Sequence, residues 1–144
     1  MLTIDTDDKS IDVTRGDYFA IVFGAHDAAG DDWNPENVGV DSLTFAVAKT
    51  LDDPAVISVT NVFDGDTDKF WTIEVGADGS TDWYKKDDSG NVVYGSDNKP
   101  ELIDPGKYVW DLEVGTSVGP ITIIGKDKET APKFTVWGDV ANRG

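Results

Sequence analysis

The chain has 144 residues, with 28 Asp and Glu against 12 Lys and Arg and a formal charge of −16. At that length one domain buries most of its apolar surface unaided, and with no cysteine it has no disulfide framework, thiolate metal site or cysteine nucleophile. Nucleic acid and membrane surfaces are excluded as partners, because both need clustered Lys and Arg and the acidic field repels phosphate and anionic lipid.

The opening MLTIDTDDKSIDV carries acids where a signal peptide carries bases, and no apolar core follows it. The chain is therefore expected to be made and kept in the cytosol. Asp, Gly and Lys interrupt every hydrophobic run short of a membrane span. A strand is expected over Leu2 to Asp5, and Asp12 and Val13 read as extended. Arg15-Gly16-Asp17 follows, the tripeptide used by many integrin-binding proteins. Such proteins hold it at an exposed loop tip, whereas here Tyr18, Phe19 and Ile21 follow at once and tie it to a strand. Gly16 stands where the chain must redirect, and the Asp17 carboxylate can accept a local backbone hydrogen bond. The tripeptide is read as a structural corner.

In DYFAIVFG, Phe19, Ile21 and Phe23 oppose Tyr18, Ala20 and Val22, so both faces are apolar. This is expected of a strand covered on both sides or lying at a subunit contact, and it is taken as the most buried strand. The polar segment Ala25 to Asp41 is too long for a tight turn and holds Trp33 among acids. It also holds the single histidine, His26, beside Asp27. No serine stands in an elbow motif, so His26 is read as a surface residue and not as part of a triad or histidine-rich metal site.

DSLTFAVAK sets Leu43, Phe45 and Val47 against Thr44, Ala46 and Ala48, the period-2 signature of a half-buried strand. Another strand is expected over Ala55 to Val62. Asp64-Gly65-Asp66-Thr67-Asp68 spaces three carboxylates as the first half of a calcium loop does, but Lys69 stands at position six and Val75 at position twelve, which excludes an EF-hand. A solvated turn between strands is the better reading, with a looser calcium site as the minor alternative. KFWTIEV then sets Trp71, Ile73 and Val75 against Thr72 and Glu74.

Gly76 to Glu101 is the second long polar segment. Within it DWYKK and NVVYG are expected to pair across Asp87-Asp88-Ser89-Gly90, with Gly90 supplying positive φ. Both long segments are expected to decorate a scaffold outside its core. Loops so placed commonly bind partners, so Trp33, Trp83 and Tyr94 are taken as candidate partner contacts; an insertion without a role is the competing reading. GKYVWDLEV sets Tyr108, Trp110, Leu112 and Val114 against Asp111 and Glu113, and strands over Pro120 to Ile124 and Lys133 to Trp137 complete the chain. Tyr108 follows Asp104-Pro105-Gly106 at the head of its strand, the placement of a tyrosine corner. Carboxylates are so numerous that close pairs are inevitable, and none is read as a glycosidase dyad.

The pattern is that of an all-β chain, a single domain over residues 1–144. Its short, irregularly spaced strands favour a two-sheet antiparallel sandwich over a propeller or solenoid, with a small barrel as the alternative. Phe45, Ile73, Trp110, Leu112 and Val136 are the expected shared core. Trp33, Trp83 and Trp137 fall in loops or on outer faces, where tryptophan serves protein contacts or stacks on sugars.

Four segments carry a family resemblance: IDVTRGDYFAI, DSLTFAVAKTLDDPAVI, DPGKYVWDLEV and KFTVWGDVANR. In this order they resemble the immunoglobulin-like domains at the start of phage and prophage tail, baseplate and fibre proteins. The loops 25–41 and 76–101 match nothing in that group, and Ala141 stands where its members often carry Thr after the closing Asp-Val pair. The resemblance implies an immunoglobulin-like sandwich, no enzymatic activity and no cofactor. It further implies contacts with other phage structural proteins or with copies of itself, and a place in the virion after assembly. The alternative function is a carbohydrate-binding module that recognises cell-surface glycans through its loop tryptophans.

Overall fold

The computed structural model describes residues 2–4, 8–24, 39–124 and 131–138. Within them lie β1 (Leu2–Ile4), β2 (Ile11–Thr14), β3 (Phe19–Val22), β4 (Val40–Ala48) and β5 (Ala55–Val62). These are followed by one helical turn, α1 (Thr67–Phe70), and by β6 (Thr72–Val75), β7 (Gly106–Thr116), β8 (Gly119–Ile124) and β9 (Lys133–Trp137). The described residues are mostly β, in two sheets, with this one turn of helix. A seven-stranded sheet has the order β1-β2-β9-β7-β4-β5, with β8 also paired to β7, and a two-stranded sheet joins β3 to β6. β7 is long enough to serve both neighbours on one edge: Gly106 to Val109 pair with β9, and Leu112 to Thr116 with β8.

The expectation of wholly antiparallel sheets is corrected at one place. β2 and β9 run parallel, Ile11 opposite Phe134 and Thr14 opposite Trp137. These strands lie near opposite ends of the chain, so the long connection that a parallel pair requires is already present.

Alternation explains the core. Leu43, Phe45 and Val47 of β4 are fully buried, and so are the inward Trp110, Leu112 and Val114 of β7 and Phe134 and Val136 of β9. The five residues expected at the centre are all within 3% of complete burial. Rings connect the layers. Phe134 stands 6.1 Å from both Phe19 and Phe45, and Trp110 stands 5.4 Å from Phe45 and 6.0 Å from Phe23, centroid to centroid. At such spacings tilted aromatic pairs add about 0.5–1.5 kcal/mol each beyond their burial.

The stretch before β6 differs from the expected strand. Residues 67–70 make a helical turn because Asp66 caps it, its Oδ1 accepting the Lys69 N–H at 3.1 Å. Asp64 Oδ1 in turn accepts the Asp66 N–H at 3.1 Å. These two carboxylates of the calcium-like spacing thus organise a backbone turn. No group of three or more His, Cys, Asp or Glu placed to hold a metal exists among the described residues. Across the layers, Asn61 of β5 reaches the end of this turn, its Nδ2 lying 3.1 Å from Phe70 O and 2.7 Å from Thr72 O.

Of the two readings of its apolar pattern, cover on both faces by the chain itself is not found for β3 among the described residues, and it is not the most buried strand. Phe19 and Ile21 are buried, whereas Tyr18 and Val22 are 56% and 73% exposed. A two-stranded sheet has only one core to face, so its outer side stays open whatever residues stand there.

Candidate functional site

The Arg15-Gly16-Asp17 corner is built by backbone geometry. The Asp17 N–H donates to Thr14 O at 3.1 Å and Gly16 takes φ of 87°, a left-handed conformation that favours glycine. Arg15 is turned along the fold: its N–H donates to Trp137 O at 2.9 Å, and its guanidinium reaches Ile103 O at 3.3 Å. The Asp17 carbonyl accepts the Trp83 indole N–H at 2.8 Å. Held at Arg15 and Asp17, the tripeptide is a junction between β2, β3 and the segment that follows β6.

That segment corrects two expectations. It contains more than one hairpin, and it contributes to the core. Arms at residues 83–87, 91–95 and 99–103 each pair with both of the others, through Tyr84 with Leu102, Lys86 with Val92, and Tyr94 with Pro100. The ring closes through the backbone. The Lys85 N–H donates to Glu101 O, the Glu101 N–H to Val93 O, and the Val93 N–H to Lys85 O, at 2.8, 2.9 and 2.9 Å. A flat three-stranded meander would leave its outer strands unpaired with each other; here they meet. Two corners share one construction: Gly90 N–H to Asp87 O with Gly90 at φ 84°, and Asn98 N–H to Gly95 O with Asn98 at φ 64°. Asn tolerates that conformation better than most side chains. The usable sequence signal was the recurrence of a turn-forming run, DDSGN and then GSDNK, at the same spacing as Lys85, Val93 and Glu101.

Trp83, expected on the surface, is 4% exposed and packs edge-on against Phe19 at 6.3 Å. Ile103 is buried beside it, and its N–H donates to Trp83 O at 2.9 Å. Tyr94 lies at the other end of the module and is 60% exposed. Trp33 and His26 lie outside the described residues.

Between this module and the β4–β5 turn is a cleft of about 690 Å³, lined by Lys49, Val56, Lys85, Lys86, Val93, Ile103 and Tyr108 among others. Its cations are engaged. Lys85 pairs with Asp104 at 3.1 Å, Lys86 Nζ donates to Thr81 O at 2.7 Å, and Lys49 Nζ lies 4.6 Å above the Tyr108 ring. The Tyr108 hydroxyl donates to Asp104 O at 2.6 Å, closing the turn that launches β7. Its pKa is raised, first by desolvation and then by the Asp104 charge. This arrangement offers a mixed, partly apolar surface for contact.

On the outer face of the large sheet Asp111 has a raised pKa, through desolvation and then the like charge of Glu113. Thr44 and Thr60 share a hydroxyl hydrogen bond of 2.9 Å on that face. Trp137, at the end of β9, is half exposed and donates its indole N–H to Asp12 Oδ1 at 3.0 Å. No described helix is long and apolar enough to cross a membrane. Compared with protein families, curated proteins and solved structures, the chain matches none.

Proposed function

We propose that the chain is a non-enzymatic assembly module, an immunoglobulin-like domain that acts through protein–protein contacts in a phage or prophage tail, baseplate or fibre. It would be made in the cytosol and carried into the virion. The observation that carries the assembly part is the outer face of β3, where Val22 and, just before the strand, Tyr18 stand largely exposed while the opposite face is core. The immunoglobulin-like part is supported by the β3–β6 sheet opposing the larger one, by the parallel β2–β9 pair at the chain's two ends, and by the Tyr108 hydroxyl on Asp104 O. The phage assignment rests on the four resembling segments.

The glycan-binding alternative is weakened, because Trp83 is buried and its N–H is committed to Asp17. Immunogold labelling tests the proposal on particles released by producing cells. Label at tails or baseplates supports it. Unlabelled particles, together with saturable quenching of tryptophan fluorescence by a cell-wall polysaccharide, would favour the glycan reading.

A further inference from the structure

In the smaller sheet β3 pairs with β6, and no described strand lies on its other edge. The Phe23 N–H donates to Trp71 O at 2.9 Å on the β6 side. By the alternation of an antiparallel ladder, the N–H and C=O groups of Ala20 and Val22 therefore point to the free edge. The usual guards against edge pairing are absent there. Tyr18 to Gly24 reads YFAIVFG, with neither charge nor proline, and the β3–β6 register is unbroken by a bulge.

The larger sheet continues beneath this edge. Phe19 and Phe23 sit over Phe134 and Trp110 with ring centroids 6.1 and 6.0 Å apart, which places β3 above β9 and β7. Beyond β9 come β2 and then β1, about 5 and 10 Å further at the ordinary strand spacing. Leu2 pairs with Val13 and Ile4 with Ile11, and cross-strand partners project to one face. Val13 and Ile11 are buried, whereas Leu2 and Ile4 keep 38% and 40% of their exposure. An apolar floor thus lies beside an edge that no described strand pairs.

The overhang decides what can fill this position. A second copy set side by side, β3 to β3, would drive its own β1 and β2 into those of the first, because they project past β3 by about two strand widths. A single extended segment fits. Paired to β3, it would use the Ala20 and Val22 backbone and place alternate side chains over Leu2 and Ile4. Asp17 precedes the strand, Glu74 stands exposed on the far side of β3 on β6, and the whole chain carries −16, so the surroundings are acidic and basic flanks complement the site.

We infer that the free edge of β3 and the overhanging face of β1 form a strand-docking slot for an extended apolar segment, flanked by Lys or Arg, of a partner protein. The inference rests on the assembly reading for the existence of that partner and specifies the form of the contact.

Amide exchange of the intact chain, followed by NMR, tests it with a synthetic peptide of alternating Val and Thr between paired lysines. In the free chain, Ala20 and Val22 amides should exchange at least about tenfold faster than those of Ile21 and Ile73, and slow by about tenfold or more at saturating peptide. A glutamate-flanked peptide should bind more weakly by roughly tenfold at low salt. Ala20→Pro removes an edge-directed N–H without breaking a β3–β6 ladder bond, while also fixing the local φ, and should abolish the peptide's effect with Ile73 still protected; if that variant does not fold, the wild-type exchange decides alone.

Slow exchange of Ala20 and Val22 in the free chain overturns the inference, since the slot would already be filled. A peptide that leaves them unprotected overturns it too, and equal affinity for the two peptides overturns the charge assignment. Protection without particle labelling keeps the slot and rejects the virion reading; labelling without protection does the reverse.

Discussion

Trp83 and Asp17 stand 66 residues apart in sequence and are joined at 2.8 Å, the indole N–H donating to the backbone carbonyl. This bond ties the three-armed module to the corner that opens β3. Trp83→Phe leaves that carbonyl without the donor, an expected cost of about 1–3 kcal/mol. The melting temperature should fall by roughly 3–10 °C for a chain of this size. Trp137→Phe, at a half-exposed position, should change stability by less than about 0.5 kcal/mol. Equal melting temperatures for the two variants would show that the buried bond contributes nothing.

Two glycines at this junction should differ sharply. Gly16 has φ +87° and open space, the nearest atom to an added Cβ being Leu102 Cδ1 at 3.8 Å. Gly76 has φ +80°, and its Cβ would stand 2.8 Å from both Asp17 O and Trp83 Nε1. Gly16→Ala should cost about 1–2 kcal/mol through the backbone alone. Gly76→Ala should cost roughly 2–5 kcal/mol, because it also wedges the indole off its acceptor. Urea midpoints of the two variants measure the difference.

Asn61 Nδ2 faces three carbonyl oxygens, of Lys69, Phe70 and Thr72, at 3.4, 3.1 and 2.7 Å. Asn61→Asp would replace that donor with a carboxylate among acceptors and is expected to cost more than about 2 kcal/mol at neutral pH. The surrounding oxygens would raise the new carboxyl's folded-state pKa. Its contribution is then fully present below the unfolded pKa and lost as pH rises through the folded one. Denaturation at pH 7 and at about pH 3, near or below the ordinary Asp pKa, should show the deficit shrinking on the acid side.

Tyr108 gives the alkaline counterpart. Its folded pKa is raised above the ordinary 10.0 by desolvation and then by Asp104. The stability it contributes is present below pH 10 and is lost as pH rises through the folded pKa, because the unfolded chain ionises first. Tyr108→Phe removes the 2.6 Å bond to Asp104 O and should cost about 1–3 kcal/mol at neutral pH. The gap between the variant and the native chain should narrow above pH 10. A constant gap in melting temperature across that range would mean the hydroxyl is solvated.

The strands were legible because burial on one face imposes a period of two. Leu43, Phe45 and Val47, or Tyr108, Trp110, Leu112 and Val114, alternate with polar or small residues and are the buried set. The helical turn was missed because its signal is the Asp66 cap, which the apolar run KFWTIEV overshadows. The third arm of the module was missed because Asn98 supplies a positive φ where a glycine was sought.

By itself, the sequence determined which residues could face a core, where the chain must turn, and that the fold is mostly β; these follow from alternation and from the conformational limits of single residues. Only the tertiary structure decided which apolar faces find a partner. Trp83 lies in a polar loop and is buried because Phe19 and Asp17 meet it from far along the chain, whereas Val22 lies in an apolar strand and is exposed because its sheet has a single layer opposite. Burial is a property of pairs of segments, and neither segment alone records the other.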